Sequence, residues 1–178
     1  MSRIPLVTPQ DATGETQALL TQIHGAFGAT PNMFRAVANS SAALKSMWGS
    51  FGALGGGVIP AALGEKIAVA IANRNACEYC LAAHTALGRK AGASSQEMSA
   101  AQGGESDDPK TAAALHFALR VVEGRGQIDD ADVAQLRSVG FNDEEIVEIL
   151  AHVALNLFTN YVNVAFAVPV DFPGVKLR

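Results

Sequence analysis

Charge, aromatic rings and cysteine are all scarce in this sequence. Charged residues are 17% of the 178 positions and aromatics 6%, and there are only two cysteines. Basic residues form no stripe. The 13 Lys and Arg are outnumbered by 17 Asp and Glu, giving a net charge of −4, which argues against a nucleic-acid partner. The apolar runs at 67–72 and 151–158 fall far short of the roughly 20 residues that span a bilayer, so no membrane is expected. The opening MSRIPLVTPQ lacks the apolar stretch of a signal peptide. The expectation is therefore a cytoplasmic protein. In a reducing compartment, two nearby cysteines are better explained by catalysis or metal binding than by a structural disulfide. No segment alternates with period two and β-branched residues, which excludes a sheet-based fold.

What is abundant is Ala and aliphatic side chain, with 49% hydrophobic residues. That balance fits close-packed helices and apolar faces buried between subunits. The length fits one domain, which can bury about 70% of the surface of its unfolded chain without a metal or disulfide to hold it.

Punctuation marks helix boundaries along the chain. Residues 1–12 read as an extended arm, with Pro5 and Pro9 opposing helix. Helices are expected at 13–25, from Thr30-Pro31 (cap, then first turn) to 39, from a Ser40-Ser41 cap to 54, and at 61–73. Asn73, Arg74 and Asn75 interrupt, and a helix is expected over 76–90. Ser94 with Glu97 and Asn142 with Glu145 are matching capping boxes, read as two similar helix corners. Helices at 109–123, 130–138 and 142–168 follow, and residues 169–178 form an extended tail. The expected fold is all-α, a single domain of about eight helices.

The chemistry concentrates in NRNACEYCLAAHTALGRKAG, residues 73–92. On a helix at 100° per residue, Cys77, Cys80 and His84 fall within about 60° of arc, and Tyr79 points roughly the other way. The cluster starts in the first turn, where free N–H groups and the helix dipole favour a thiolate. His84, one turn past Cys80, can take its proton. The second thiol can trap a sulfenic acid as a disulfide. A zinc reading has three ligands where a structural site wants four, and His24, His116 and His152 are isolated in sequence. Two core cysteines with a core histidine is the third reading. Glu65, in an apolar run twelve residues before Cys77, either faces the dithiol or sits on its helix's wet side.

The pattern E(x11)CxYCxxxH, carried by Glu65, Cys77, Tyr79, Cys80 and His84, resembles the AhpD-like alkylhydroperoxidase family of the carboxymuconolactone decarboxylase superfamily. The following TALGRKAG and the capped corner at Ser94 and Glu97 are similar to that family as well, a match over roughly residues 55–105. The stretches TPNMFRAVANS and LNLFTNYVNVAF are similar to its peroxidase-related subgroup. The resemblance implies an AhpD-like helical bundle that assembles into homo-oligomers, trimers or hexamers. It implies reduction of small-molecule hydroperoxides with no metal and no bound cofactor, the pair being restored by an external dithiol, as on a reductant protein. Carried over by position, Cys80 attacks the peroxide, Cys77 resolves, His84 relays the proton and Glu65 orients and charges His84. Tyr79 stands where the best-known member has a histidine; a phenol can donate a hydrogen bond but is a weak base at pH 7. The decarboxylase branch lacks the cysteine pair, so the pair argues against decarboxylation. A thiol-disulfide exchanger or redox sensor is the alternative.

Elsewhere, His152, Asn156, Asn160 and Asn163 recur on nearly one face of the last helix. They read as helix-helix hydrogen bonding or as the lining of an active-site mouth. His116, in an apolar helix, reads as a core histidine, and His24 as interacting with a helix end. Met47, Trp48 and Phe51 read as core or as a pocket wall. GRGQ (124–127) is no phosphate loop, lacking the preceding strand and the lysine-bearing helix.

Overall fold

The computed structural model describes residues 2–178. Among these residues it has nine helices and no strand: α1 (Gly14–Phe27), α2 (Asn32–Val37), α3 (Ser41–Gly55), α4 (Ala61–Arg74), α5 (Glu78–Lys90), α6 (Ser95–Gln102), α7 (Pro109–Glu123), α8 (Asp130–Ser138) and α9 (Asp143–Ala165). One of the corners expected from the capping boxes is itself a helix, α6. Both boxes form, and Asp129 with Asp132 makes a third at the start of α8. No helix among the described residues is long and apolar enough to cross a membrane.

Helix α4 is the centre. Its run from Ile67 to Ala72 is buried all round, because it packs against α5, α6, α7 and α9. Small residues at 68, 70 and 72 let those neighbours approach closely. The 23-residue α9 crosses the bundle and touches α2, α3, α4, α5 and α7. The arm is pinned to the other end of the chain, with the Arg3 N–H donating to the Phe166 carbonyl at 2.8 Å. The tail is strapped across the bundle. Its Asp171 carboxylate accepts the Asn32 N–H at 2.7 Å, and its Lys176 carbonyl accepts from Gln102 at 2.8 Å.

Several boundaries differ from expectation. Helix α2 starts at Asn32 with Pro31 in the capping position, so Thr30 is not the cap; its hydroxyl pairs with His24 Nδ1 at 3.2 Å instead. Helix α9 stops at Ala165, and Ala167 turns with positive φ before the tail. His116 is exposed rather than in the core, because α7 buries Ala113, Ala114, Leu115, Phe117 and Ala118 around it and leaves position 116 on the wet face.

Phe34 is 1% exposed and its ring meets Phe27, Trp48 and Phe51 at 5.7–5.8 Å between centroids, Trp48 edge-on. Removing this ring leaves a cavity that α1, α2 and α3 cannot close together. Phe34→Ala is expected to cost about 3–5 kcal/mol. At roughly 2–4 °C per kcal/mol for a domain of this size, a thermal melt should fall by about 10 °C.

Candidate active site

The turn between α4 and α5 builds the site. Helix α4 ends with Ala76 in the left-handed region (φ 52°), and the Cys77 N–H reaches back to the Ala72 carbonyl at 2.9 Å. This is a helix C-terminal motif in which glycine is the usual residue at the left-handed position. The reversal lays α5 back along α4. It also removes Cys77 from the helix, correcting the expected start near Ala76. Cys77 is the N-cap of α5, with φ −91° and ψ 89°, and its sulfur accepts the Cys80 N–H at 3.2 Å. A sulfur thus does the work usually given to Ser or Asp at a helix start. The two thiols also act on each other's ionisation.

That placement makes the pair asymmetric. The hydrogen bond from Cys80 lowers the Cys77 pKa, and backbone N–H groups and the nearby His84 add to this against the cost of burial. Burial pushes the Cys80 thiol well up, and the charge on Cys77 pushes it further, while Asn163 and Thr159 pull it down. Of the two thiols Cys77 is therefore the more acidic, and Cys80 the one that holds its proton more tightly. The Asn163 amide donates to the Cys80 sulfur at 3.2 Å. Of the asparagine stripe, Asn163 thus meets Cys80, with Thr159 beside it, while Asn160 Oδ1 accepts from the Asn75 amide at 3.0 Å in the helix-helix hydrogen bonding that the sequence also allowed. Thr159 was not singled out in the sequence.

Glu65 faces the dithiol helix. Its Oε2 lies 2.7 Å from His84 Nδ1, with both side chains largely buried. A carboxylate can only accept, so Nδ1 carries the proton and Nε2 is the nitrogen left for chemistry. Burial opposes charge on His84, but Glu65 and the Cys77 sulfur outweigh it and hold its pKa above the ordinary value. Glu65, His84, Cys77 and Cys80 are thus brought together. Tyr79 is not part of that chain. Its hydroxyl accepts the Met33 N–H at 3.2 Å, its ring stands edge-on to Phe172, and burial drives its pKa far up. It ties α2 and the tail to α5. Among the described residues no three His, Cys, Asp or Glu side chains are grouped to hold a metal ion.

The site has two sides. Cys77 lines an open cleft of about 400 Å³ between the start of α5 and the end of α9, together with Glu78, Asn163 and Pro169. His84 and Glu65 line a separate cavity of about 140 Å³ with Phe51, Ile59, His152 and Asn156. Cys80 lies between them in sequence, one helical turn from His84. If Cys77 carries the charge, iodoacetamide should label it first. The rate should also rise at a pH below the ordinary thiol range, a profile read by mass spectrometry of quenched samples.

Residues 40–124 match the model of the carboxymuconolactone decarboxylase family. No curated protein matches the chain. An uncharacterized peroxidase-related protein from Silicibacter sp. TM1040 superposes with a TM-score of 0.82 at 27% identity, over 94% of this chain and 91% of that one. A peroxidase-related protein with an alkylhydroperoxidase AhpD core, from Ralstonia eutropha JMP134, gives 0.85 at 24%, over 96% and 92%. A variant of the debrominase Bmp8 in complex with 2,3,4-tribromopyrrole gives 0.80 at 22%, over 96% and 94%. The last two likenesses are of fold.

Proposed function

We infer that this chain, which belongs to the carboxymuconolactone decarboxylase family with an AhpD-like fold, is a thiol peroxidase that reduces organic hydroperoxides by a dithiol/disulfide cycle. The observation that carries the reading is the Glu65–His84 pair beside an asymmetric Cys77–Cys80 pair, Cys77 the more acidic. A metal or bound cofactor has no part in it.

The cycle balances with the groups present. The Cys80 proton passes to Cys77, and the charge moves to Cys80, where Asn163 and Thr159 stabilise it. The Cys80 thiolate attacks the terminal peroxide oxygen; an S–O bond forms and the O–O bond breaks. The departing alkoxide takes a proton from His84 and leaves as the alcohol. His84, now neutral, takes the proton back from Cys77. The Cys77 thiolate attacks the Cys80 sulfenic acid, an S–S bond forms, and hydroxide leaves with that proton as water. An external dithiol, as on a reductant protein, attacks the disulfide at Cys77, the cysteine that lines the open cleft. Glu65 keeps His84 oriented throughout and favours its reprotonation after each proton it gives up.

The test is steady-state consumption of tert-butyl hydroperoxide with dithiothreitol, run beside an insulin-disulfide reduction assay. Sustained turnover of peroxide supports the reading. Disulfide exchange without peroxide turnover sinks it in favour of a thiol-disulfide oxidoreductase.

Assembly belongs to the same proposal. Val147, Leu150, Phe158, Tyr161 and Val164 are exposed at helical spacing along the outer side of α9. A second copy of this chain packed on that stripe gives a cytoplasmic homo-oligomer, a trimer or hexamer. Sedimentation velocity should show it, and Tyr161→Glu should shift the protein to smaller species.

A further inference from the structure

The 140 Å³ cavity between α3, α4, α5 and α9 has a polar end that the dithiol cycle leaves unused. Phe51, Leu54, Ile59 and Leu155 form an apolar wall. His152 and Asn156 line the same cavity, and His152 Nε2 and Asn156 Oδ1 are buried without a hydrogen-bond partner among the described residues. Asn156 is 5% exposed, and its amide N–H₂ donates to the His152 carbonyl at 2.9 Å, which fixes the amide orientation and leaves Oδ1 as a free acceptor. Burial lowers the His152 pKa, so its ring is neutral and Nε2 can donate or accept a single hydrogen bond.

The place is built for the ring. A Cβ at position 64 would sit 3.2 Å from His152 Cε1, so Gly64 clears the space. The Glu148 carboxylate, one turn before His152, accepts the Val58 and Ile59 N–H groups at 3.0 and 2.7 Å and holds the loop that carries Ile59 of the apolar wall. Two orphaned buried polar atoms each cost about 1–3 kcal/mol, so the cavity favours a guest that satisfies both.

We propose that His152 and Asn156 are positioning residues that grip the –OOH head of a compact organic hydroperoxide whose carbon part lies against Phe51, Leu54 and Ile59. The proposal rests on the peroxidase reading. The head has one proton to donate, to Asn156 Oδ1, and an oxygen to accept from His152 Nε2. His84 lines the same cavity and lies one turn of α5 beyond Cys80. The volume limits the carbon part. A cavity of about 150 Å³ holds a benzene. The substrate class is therefore a branched C4 chain or single ring, not a fatty-acid hydroperoxide.

The experiment has two arms. In the first, the Cys80→Ser protein is titrated with tert-butanol, the alcohol product of tert-butyl hydroperoxide, and the His152 ring signals are followed by NMR. Saturable shifts support the pocket; unchanged shifts mean the cavity holds water only and overturn it. In the second, His152→Leu is expected to raise KM for tert-butyl hydroperoxide on the order of tenfold with kcat within about threefold, the loss of one buried hydrogen bond. His152→Gln, which keeps an N–H donor, should restore most of it. Equal KM in all three proteins, or a preference for linoleic hydroperoxide, overturns the proposal. If the parent protein turns over no hydroperoxide at all, the functional reading fails, and the tert-butanol arm alone decides the pocket.

Discussion

Replacing Cys80 by serine is expected to abolish hydroperoxide turnover, a loss on the order of 10³-fold or more, as for removal of a nucleophile in other enzymes. The argument is one of place. Cys80 lies one helical turn from His84, which lines the smaller cavity, while Cys77 lines the open cleft. Peroxide bound beside His84 has Cys80 one turn away on the same helix. The Asn163 amide on the Cys80 sulfur stabilises the charge that sulfur must carry during attack. Cys77→Ser should behave differently. It should still react once with peroxide, leaving a sulfenic acid on Cys80 that dimedone traps, and then stall. If instead Cys80→Ser retains a single turnover and Cys77→Ser does not react, the roles are reversed, and Cys77 is the attacking sulfur.

Glu65→Gln is expected to carry the second largest effect, a fall of about 10²-fold in turnover at pH 7, the lower end of what a proton-transfer group contributes. The amide keeps the shape of the carboxylate and loses its charge. Without that charge, burial dominates at His84 and its pKa drops. Less imidazolium in turn raises the Cys77 pKa. The acid limb of the pH–rate profile, set by the thiolate, moves up, and the alkaline limb, set by His84, moves down, so the profile narrows from both sides. Stability follows the same sign. His84 has a raised pKa in the folded protein, so its contribution is full below about pH 6.5 and is lost as pH rises through the folded value. The melting difference between parent and variant should therefore be largest at pH 5.5 and shrink by pH 9. A difference that grows toward alkaline pH contradicts the assignment.

The four residues of the central cluster are legible in the sequence because three of them share a short segment and the fourth sits on the helix just before it. A broken helix, Asn73-Arg74-Asn75, is a local signal for the reversal that brings Glu65 beside His84. The local signal runs out at Cys77. Projecting it onto an ideal helix puts it on the face of Cys80, but the left-handed Ala76 pulls it out to cap the helix, which decides where the charge rests. Asn163 and Thr159 stand some 80 residues away, with 83 separating Asn163 from Cys80. Their spacing on α9 marks a polar face but cannot say what that face meets. His116 shows the converse limit, since apolar neighbours do not fix which side of a helix faces the core.

The most direct test of the central claim is a thiol count on reduced protein before and after one equivalent of tert-butyl hydroperoxide, with tert-butanol measured in the same sample. The account predicts loss of both Cys77 and Cys80 thiols, one tert-butanol formed per chain, and full recovery of both thiols with dithiothreitol. Two intact thiols, or lost thiols without matching alcohol, would contradict it.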